Sequence, residues 1–190
     1  MSEFSRFRVR QLTPACGAEL LDCDLSKFDD TLIEEVRAAL LQHRVVFFRD
    51  QDLSQEAHIE FAAQFGDLEI HPATPKDQPN PEVLRIAHGP KSRGAENRWH
   101  SDVTWREAPS LGSILRAIEL PQVGGDTLFA NMVMAYDRLT DEVKEKIENL
   151  SASHDIARVF ARRLGKQAEE LHEKYPTYGA SSGAHSSRDQ

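Results

Sequence analysis

Trp99-His100-Ser101-Asp102-Val103-Thr104-Trp105 holds an imidazole and a carboxylate two positions apart in a segment that reads as a strand. Strand side chains alternate between faces, so residues two apart point into one space. A neutral nitrogen and a hard oxygen converging there are two corners of the two-His-one-carboxylate arrangement that holds ferrous iron with open positions. The third corner must be a histidine from elsewhere in the chain. The spacing alone is unspecific: with 8 histidines among 190 residues, random arrangement yields roughly 0.6 His-x-Asp pairs. His58-Ile59-Glu60 has similar spacing but lies in a helical pattern, residues 54–65. Two positions on a helix are about 200° apart around the axis, so that pair diverges and is set aside.

The elements that must position such a site follow from periodicity. Residues 8–12 read as a short strand, and 18–21 as a second after a Pro14/Gly17 break. Asp29-Asp30-Thr31 offers a helix N-cap, and Leu32, Val36, Leu40 and Leu41 recur at helical spacing to about His43. Val45-Val46-Phe47-Phe48 reads as a buried strand, and a turn at 50–54 leads into the 54–65 helix. Residues 70–81, rich in proline and polar side chains, read as a long loop of the kind that often carries function. Strands are expected at 83–87, through Asp102, at 111–118 and from Thr127 to Ala130, with a tight turn at Pro121 to Asp126. Helices are expected at 132–139 and 141–150, then a short β segment from Ser151 and a charged helix to about Tyr175. Residues 179–190 are dominated by Ser, Gly and Ala, cannot bury enough surface to offset ordering, and read as a disordered tail.

Length suits one domain. A net charge of −8 argues against sequence-independent binding to nucleic acid or an anionic membrane. No signal-peptide core or membrane-length apolar run is present, so the chain reads as cytoplasmic. Cys16 and Cys23 make neither a disulfide framework nor a zinc spacing and read as ordinary small side chains.

Several blocks stand in a telling order: Gly17-Ala18-Glu19, Val45 to Gln51, Phe65-Gly66, Ile70-His71-Pro72, Trp99 to Thr104, and Gly124-Gly125-Asp126-Thr127. Together, from about residue 6 to about 178, they resemble the taurine dioxygenase family of non-haem iron, α-ketoglutarate-dependent oxygenases. Pattern alone reads only as α+β. The resemblance implies a double-stranded β-helix, or jelly-roll, core with flanking helices. It implies Fe(II) as cofactor, α-ketoglutarate and dioxygen as cosubstrates, and hydroxylation of a small anionic organic substrate such as a sulfonate or alkyl sulfate, as in taurine catabolism. A homo-oligomer is compatible with it.

By the resemblance His100 and Asp102 occupy iron-ligand positions, Thr127 matches a hydroxyl that hydrogen-bonds α-ketoglutarate, and His71 matches a histidine facing the substrate's anionic group. Read without the family, Thr127 equally satisfies a turn backbone, and His71 is a loop histidine before proline. Thr74 stands where the taurine enzymes have a substrate-lining tyrosine, Glu96 where they have an asparagine, and Trp105 where phenylalanine is usual. Those exchanges leave sulfonates, alkyl sulfates and carboxylated aromatic ethers open as substrates.

The family's distal iron histidine, and the arginine that pairs with the far carboxylate of α-ketoglutarate, come from strands beyond the corresponding end of this sequence. Of the later histidines, His154 matches a segment before the distal ligand, His172 lies in the charged helix, and His185 sits in the Ser/Gly tail without an arginine at the required spacing. The expectation is a jelly roll incomplete at its C-terminus, residues 1–178 forming the N-terminal part of the domain. Missing strands would leave unpaired edges and marginal stability. The alternative to an active oxygenase is therefore a catalytically inactive truncated fragment that retains part of the metal site.

Overall fold

The computed structural model describes residues 4–71, 74–75, 77–89, 99–155, 173 and 178–181. It divides the chain into two compact units, residues 1–67 with 114–144, and residues 68–113 with 145–184. The architecture is mixed α/β.

In the first unit, β1 (Arg8–Gln11) pairs antiparallel with β2 (Ala18–Leu21), Arg8 opposite Leu21 and Gln11 opposite Ala18. β3 (Val46–Phe47) then adds parallel to β2, Ala18 beside Val46. Two parallel strands need a crossover between them, and α1 (Asp30–His43) provides it. Asp29 caps that helix, its carboxylate accepting from the Leu32 amide at 2.9 Å, and Arg6 pairs with the same side chain. Leu32, Val36 and Ala39 form the buried stripe of α1, packed in one cluster with Phe4, Phe7, Leu20, Leu25, Leu53 and Phe61 of α2 (Gln55–Ala63). Glu19 is buried on β2 and is met by Arg10 and, at 3.6 Å, by Arg49. Replacing Asp29 by alanine should lower stability by about 0.5–2 kcal/mol, the usual worth of such a cap, as read by urea denaturation.

The strand expected at 45–48 is shorter than its apolar run and only half-buried, because β3 holds the sheet's edge. Residues 83–87, 111–118 and 127–130, expected as strands, are irregular. Apolar alternation marks a face, but a strand also needs a partner backbone, and no ladder runs along these segments among the described residues. Leu115 and Ile118 are accordingly exposed. The segment holding Thr127 is nonetheless anchored within its unit. Phe129 meets Phe47 edge-on at 6.0 Å, and Asn131 donates to the Ala15 carbonyl at 2.7 Å while capping α3 (Met132–Asp137). Gly124 and Gly125, at φ 78° and 76°, make the turn before it, a left-handed pair that glycine adopts without strain.

α4 (Asp141–Ile147) follows. In the second unit β4 (Ser151–His154) pairs antiparallel with β5 (Tyr178–Ser181), Ser151 opposite Ser181 and His154 opposite Tyr178. Three residues assigned by composition to the disordered tail are thus in a strand. Backbone pairing needs no large side chain, so a Gly-Ala-Ser run can serve. The charged helix to Tyr175 lies outside the described residues except Glu173, as do His172, His185 and residues 182–190.

Candidate metal centre

Residues 102–105 form a turn where alternation led to a strand, closed by the Arg106 amide donating to the Val103 carbonyl at 3.0 Å. Val103 takes φ 47°, a left-handed conformation costly for a β-branched residue. The convergence of the two side chains survives, for a different reason. The turn, not strand pleating, brings His100 Nε2 to 3.4 Å from Asp102 Oδ1, with both side chains more than half exposed.

The surrounding groups orient this pair. Ser113 Oγ donates to Asp102 Oδ2 at 3.2 Å, leaving Oδ1 toward the imidazole. One residue past the strained position, Thr104 Oγ1 lies 2.9 Å from His154 Nδ1, tying the turn to the end of β4. His154 is thus engaged with Thr104 through Nδ1.

His71 belongs to the same unit, in the irregular stretch expected as a loop. Its ring is half-buried and meets Trp105 at 6.1 Å between centroids, tilted 78°. Two positions earlier, Glu69 Oε1 accepts from Arg106 Nε at 3.0 Å and Nη2 at 2.8 Å, and Oε2 accepts from Ser110 Oγ at 2.9 Å. The Thr74 amide donates to the His71 carbonyl at 2.8 Å. Thr74 itself is buried, and its hydroxyl has no hydrogen-bond partner among the described residues.

Burial pushes the His71 imidazole below its ordinary value of 6.5; Glu69 and Asp102 pull it upward, and Arg106 adds to the depression. A depressed histidine is neutral in the fold at pH values where the unfolded chain still binds the proton. Its contribution to stability is therefore complete above about pH 6.5 and is lost as pH falls through the folded-state value. We expect the His71 ring to titrate below 6.5 by NMR, and the acid-side loss of stability to be smaller in His71→Gln.

Two of the four site residues read from sequence, His100 and Asp102, are in direct contact, and His71 stands in the same unit beside Trp105. Thr127 belongs to the first unit, where it is exposed. Glu96 lies outside the described residues. Ser113, Glu69, Arg106 and Ser110 escaped sequence reading because no local motif marks a serine or an ion pair whose partner is tens of residues away.

The donor set can be tested against a metal. Two ligands at metal distances of about 2.0–2.2 Å lie about 2.8–3.1 Å apart at a right angle and about 3.3–3.6 Å apart at the tetrahedral angle, and the His100–Asp102 pair, at 3.4 Å, is within a few tenths of an ångström of both. An imidazole nitrogen with a carboxylate oxygen also suits divalent iron. No group of three such side chains gathers among the described residues. The pair fits two corners.

A profile of the family described as Taurine catabolism dioxygenase TauD, TfdA family matches residues 8–182. The chain belongs to that family. Among curated relatives of this TauD/TfdA protein, the (S)-phenoxypropionate/alpha-ketoglutarate-dioxygenase of Sphingobium herbicidovorans is 30% identical over 187 residues, covering 93% of this chain and 63% of the relative. The alpha-ketoglutarate-dependent sulfate ester dioxygenase of Pseudomonas putida is 38% identical over 151 residues, 77% of this chain and 48% of the relative. A solved structure, a putative alpha-ketoglutarate-dependent taurine dioxygenase from Burkholderia xenovorans, superposes with a TM-score of 0.67 at 37% identity, over 79% of this chain and 54% of that one. This likeness carries the jelly-roll assignment, to which the described residues contribute a three-stranded and a two-stranded sheet. The TauD/TfdA chain thus spans between 48% and 63% of the length of these proteins. None of its described helices is long and apolar enough to cross a membrane.

Proposed function

We propose that this chain carries the iron-binding turn of an Fe(II)- and α-ketoglutarate-dependent dioxygenase acting on a small anionic organic substrate. The observation that carries the reading is the convergence of His100 Nε2 and Asp102 Oδ1 to 3.4 Å within a sequence of the TauD/TfdA family. His100 and Asp102 would hold the iron, Thr127 would donate its hydroxyl to α-ketoglutarate, and His71 would face the substrate's anionic group. When bound, the metal supplies coupled keto-acid decarboxylation and oxidation of a substrate carbon, chemistry that belongs to the cofactor.

The protein's share is placement. Ser113 engages one oxygen of Asp102 so that the other turns toward His100. Such outer hydrogen bonds orient ligands and typically tune metal affinity by about 10–100-fold. His71, kept neutral by burial, offers an anion an N–H hydrogen bond. Its contact with Trp105 places a flat apolar wall beside it. Thr74 buries a small side chain at a position where the taurine enzymes carry a tyrosine, and a shorter side chain favours a bulkier substrate. The relatives that act on a phenoxypropionate and on sulfate esters suggest the panel: an aryloxypropionate, an alkyl sulfate and taurine.

The test adds Fe(II) and α-ketoglutarate anaerobically, follows the visible absorption of the complex, then admits air with each substrate and measures succinate. Substrate-dependent succinate supports the reading. Metal binding without succinate from any of the three overturns it.

A further inference from the structure

Glu69 and Arg106 join two stretches of backbone 37 residues apart, one leading to His71 and the other following the turn of His100 and Asp102. Both oxygens of Glu69 are engaged, Oε1 by Nε and Nη2 of Arg106 and Oε2 by Ser110. The ion pair is sheltered, with side-chain exposures of 30% for Arg106 and 17% for Glu69. Arg106 also closes the turn through its amide, which donates to the carbonyl of left-handed Val103. The adjacent residue, Trp105, is the one whose ring meets His71. The contacts 69 to 106 and 71 to 105 therefore lie side by side across the same two segments.

We propose that the Glu69–Arg106 pair is a positioning clasp that fixes the His71 loop against the metal-binding turn and thereby sets where His71 meets the substrate's anionic group. The inference rests on the substrate role proposed for His71. A planar guanidinium converging two N–H donors on Oε1, while Ser110 holds Oε2, fixes orientation as well as distance, which a lysine ammonium with no fixed fork cannot. A sheltered pair also loses less to solvent screening than an exposed one. Neither residue touches substrate in this scheme; both act through His71 and Trp105.

The experiment compares the full chain with Glu69→Gln, Glu69→Ala and Arg106→Lys. In the metal-free protein, the ring-current shift that Trp105 imposes on the His71 ring protons is read by NMR, with Trp105→Phe identifying its source. The clasp predicts that this shift collapses in Glu69→Ala and Arg106→Lys and weakens in Glu69→Gln, which keeps one acceptor oxygen. Mn(II) affinity, set by His100 and Asp102, should fall by less than about 10-fold, because both ligands and the Ser113 hydrogen bond that orients Asp102 are untouched. With a coupled substrate in hand, KM should rise by about 10-fold or more while kcat changes less, the signature of a displaced binding group. An unchanged His71 shift in a folded Glu69→Ala or Arg106→Lys overturns the clasp. The NMR arm requires no turnover, so failure of the dioxygenase reading and failure of the clasp are separately visible.

Discussion

Asp102→Ala is expected to abolish the coloured Fe(II)–α-ketoglutarate complex and to weaken metal binding by more than about 100-fold, since losing even an outer hydrogen bond to a ligand costs about 10–100-fold. The pair is the whole of the donor set seen among the described residues, Nε2 of His100 and Oδ1 of Asp102 at 3.4 Å. Removing the carboxylate leaves an exposed imidazole and takes away the negative charge that offsets the cation. Ser113→Ala is the graded comparison. It deletes only the 3.2 Å hydrogen bond to Oδ2, so its effect should be detectable and smaller. His100→Ala should match Asp102→Ala. Anaerobic titration with Fe(II) in the presence of α-ketoglutarate, followed by absorbance, measures all three. Retention of affinity within a few-fold in Asp102→Ala would place the metal elsewhere.

Phe61→Ala carries the largest expected loss of stability. Phe61 is 2% exposed, and its ring meets those of Phe28, Phe48 and Phe65 at 5.6, 6.4 and 5.3 Å. Truncation forfeits the transfer free energy of the ring and leaves a cavity among neighbours that cannot all collapse inward, a cost of about 3–5 kcal/mol. Aromatic pairs add about 0.5–1.5 kcal/mol beyond burial. A typical domain has about 5–15 kcal/mol in all, so the variant should unfold at far lower urea. Leu115→Ala is the matched control. At 78% exposure it should change stability by less than about 0.5 kcal/mol. A Phe61→Ala midpoint equal to that of Leu115→Ala would mean the aromatic cluster does not hold the first unit together.

The features legible in the sequence are those whose causes are local. Asp29 offers N-cap chemistry, and it caps α1. Leu32 and Val36 recur at the helical period, and both are buried. β2 spans the same residues, Ala18–Leu21, that its apolar run marks out. The order of short blocks along the chain was likewise enough to identify the family, because collinearity multiplies weak matches into a strong one. His100 and Asp102 were found that way, although strand alternation was the wrong physical account of why they meet.

The decisions left to tertiary structure are the non-local ones. Segments 83–87, 111–118 and 127–130 have strand-like composition, yet hydrogen-bond ladders depend on a partner backbone that no window of sequence contains. Gly179 to Ser181 shows the converse, a composition suited to disorder that pairs with β4 once that strand is present. The metal pair follows the same rule. Its residues are adjacent in sequence, but its geometry comes from a turn at Val103 held by Arg106. The groups that orient it, Ser113 and the His154–Thr104 contact, arrive from 11 to 50 residues away. Sequence alone determined the family, the Asp29 cap, the buried stripe of α1 and the two residues proposed as metal donors. Tertiary structure decided how those donors are aimed and what stands beside His71, since side-chain direction depends on contacts between distant segments that local spacing does not encode.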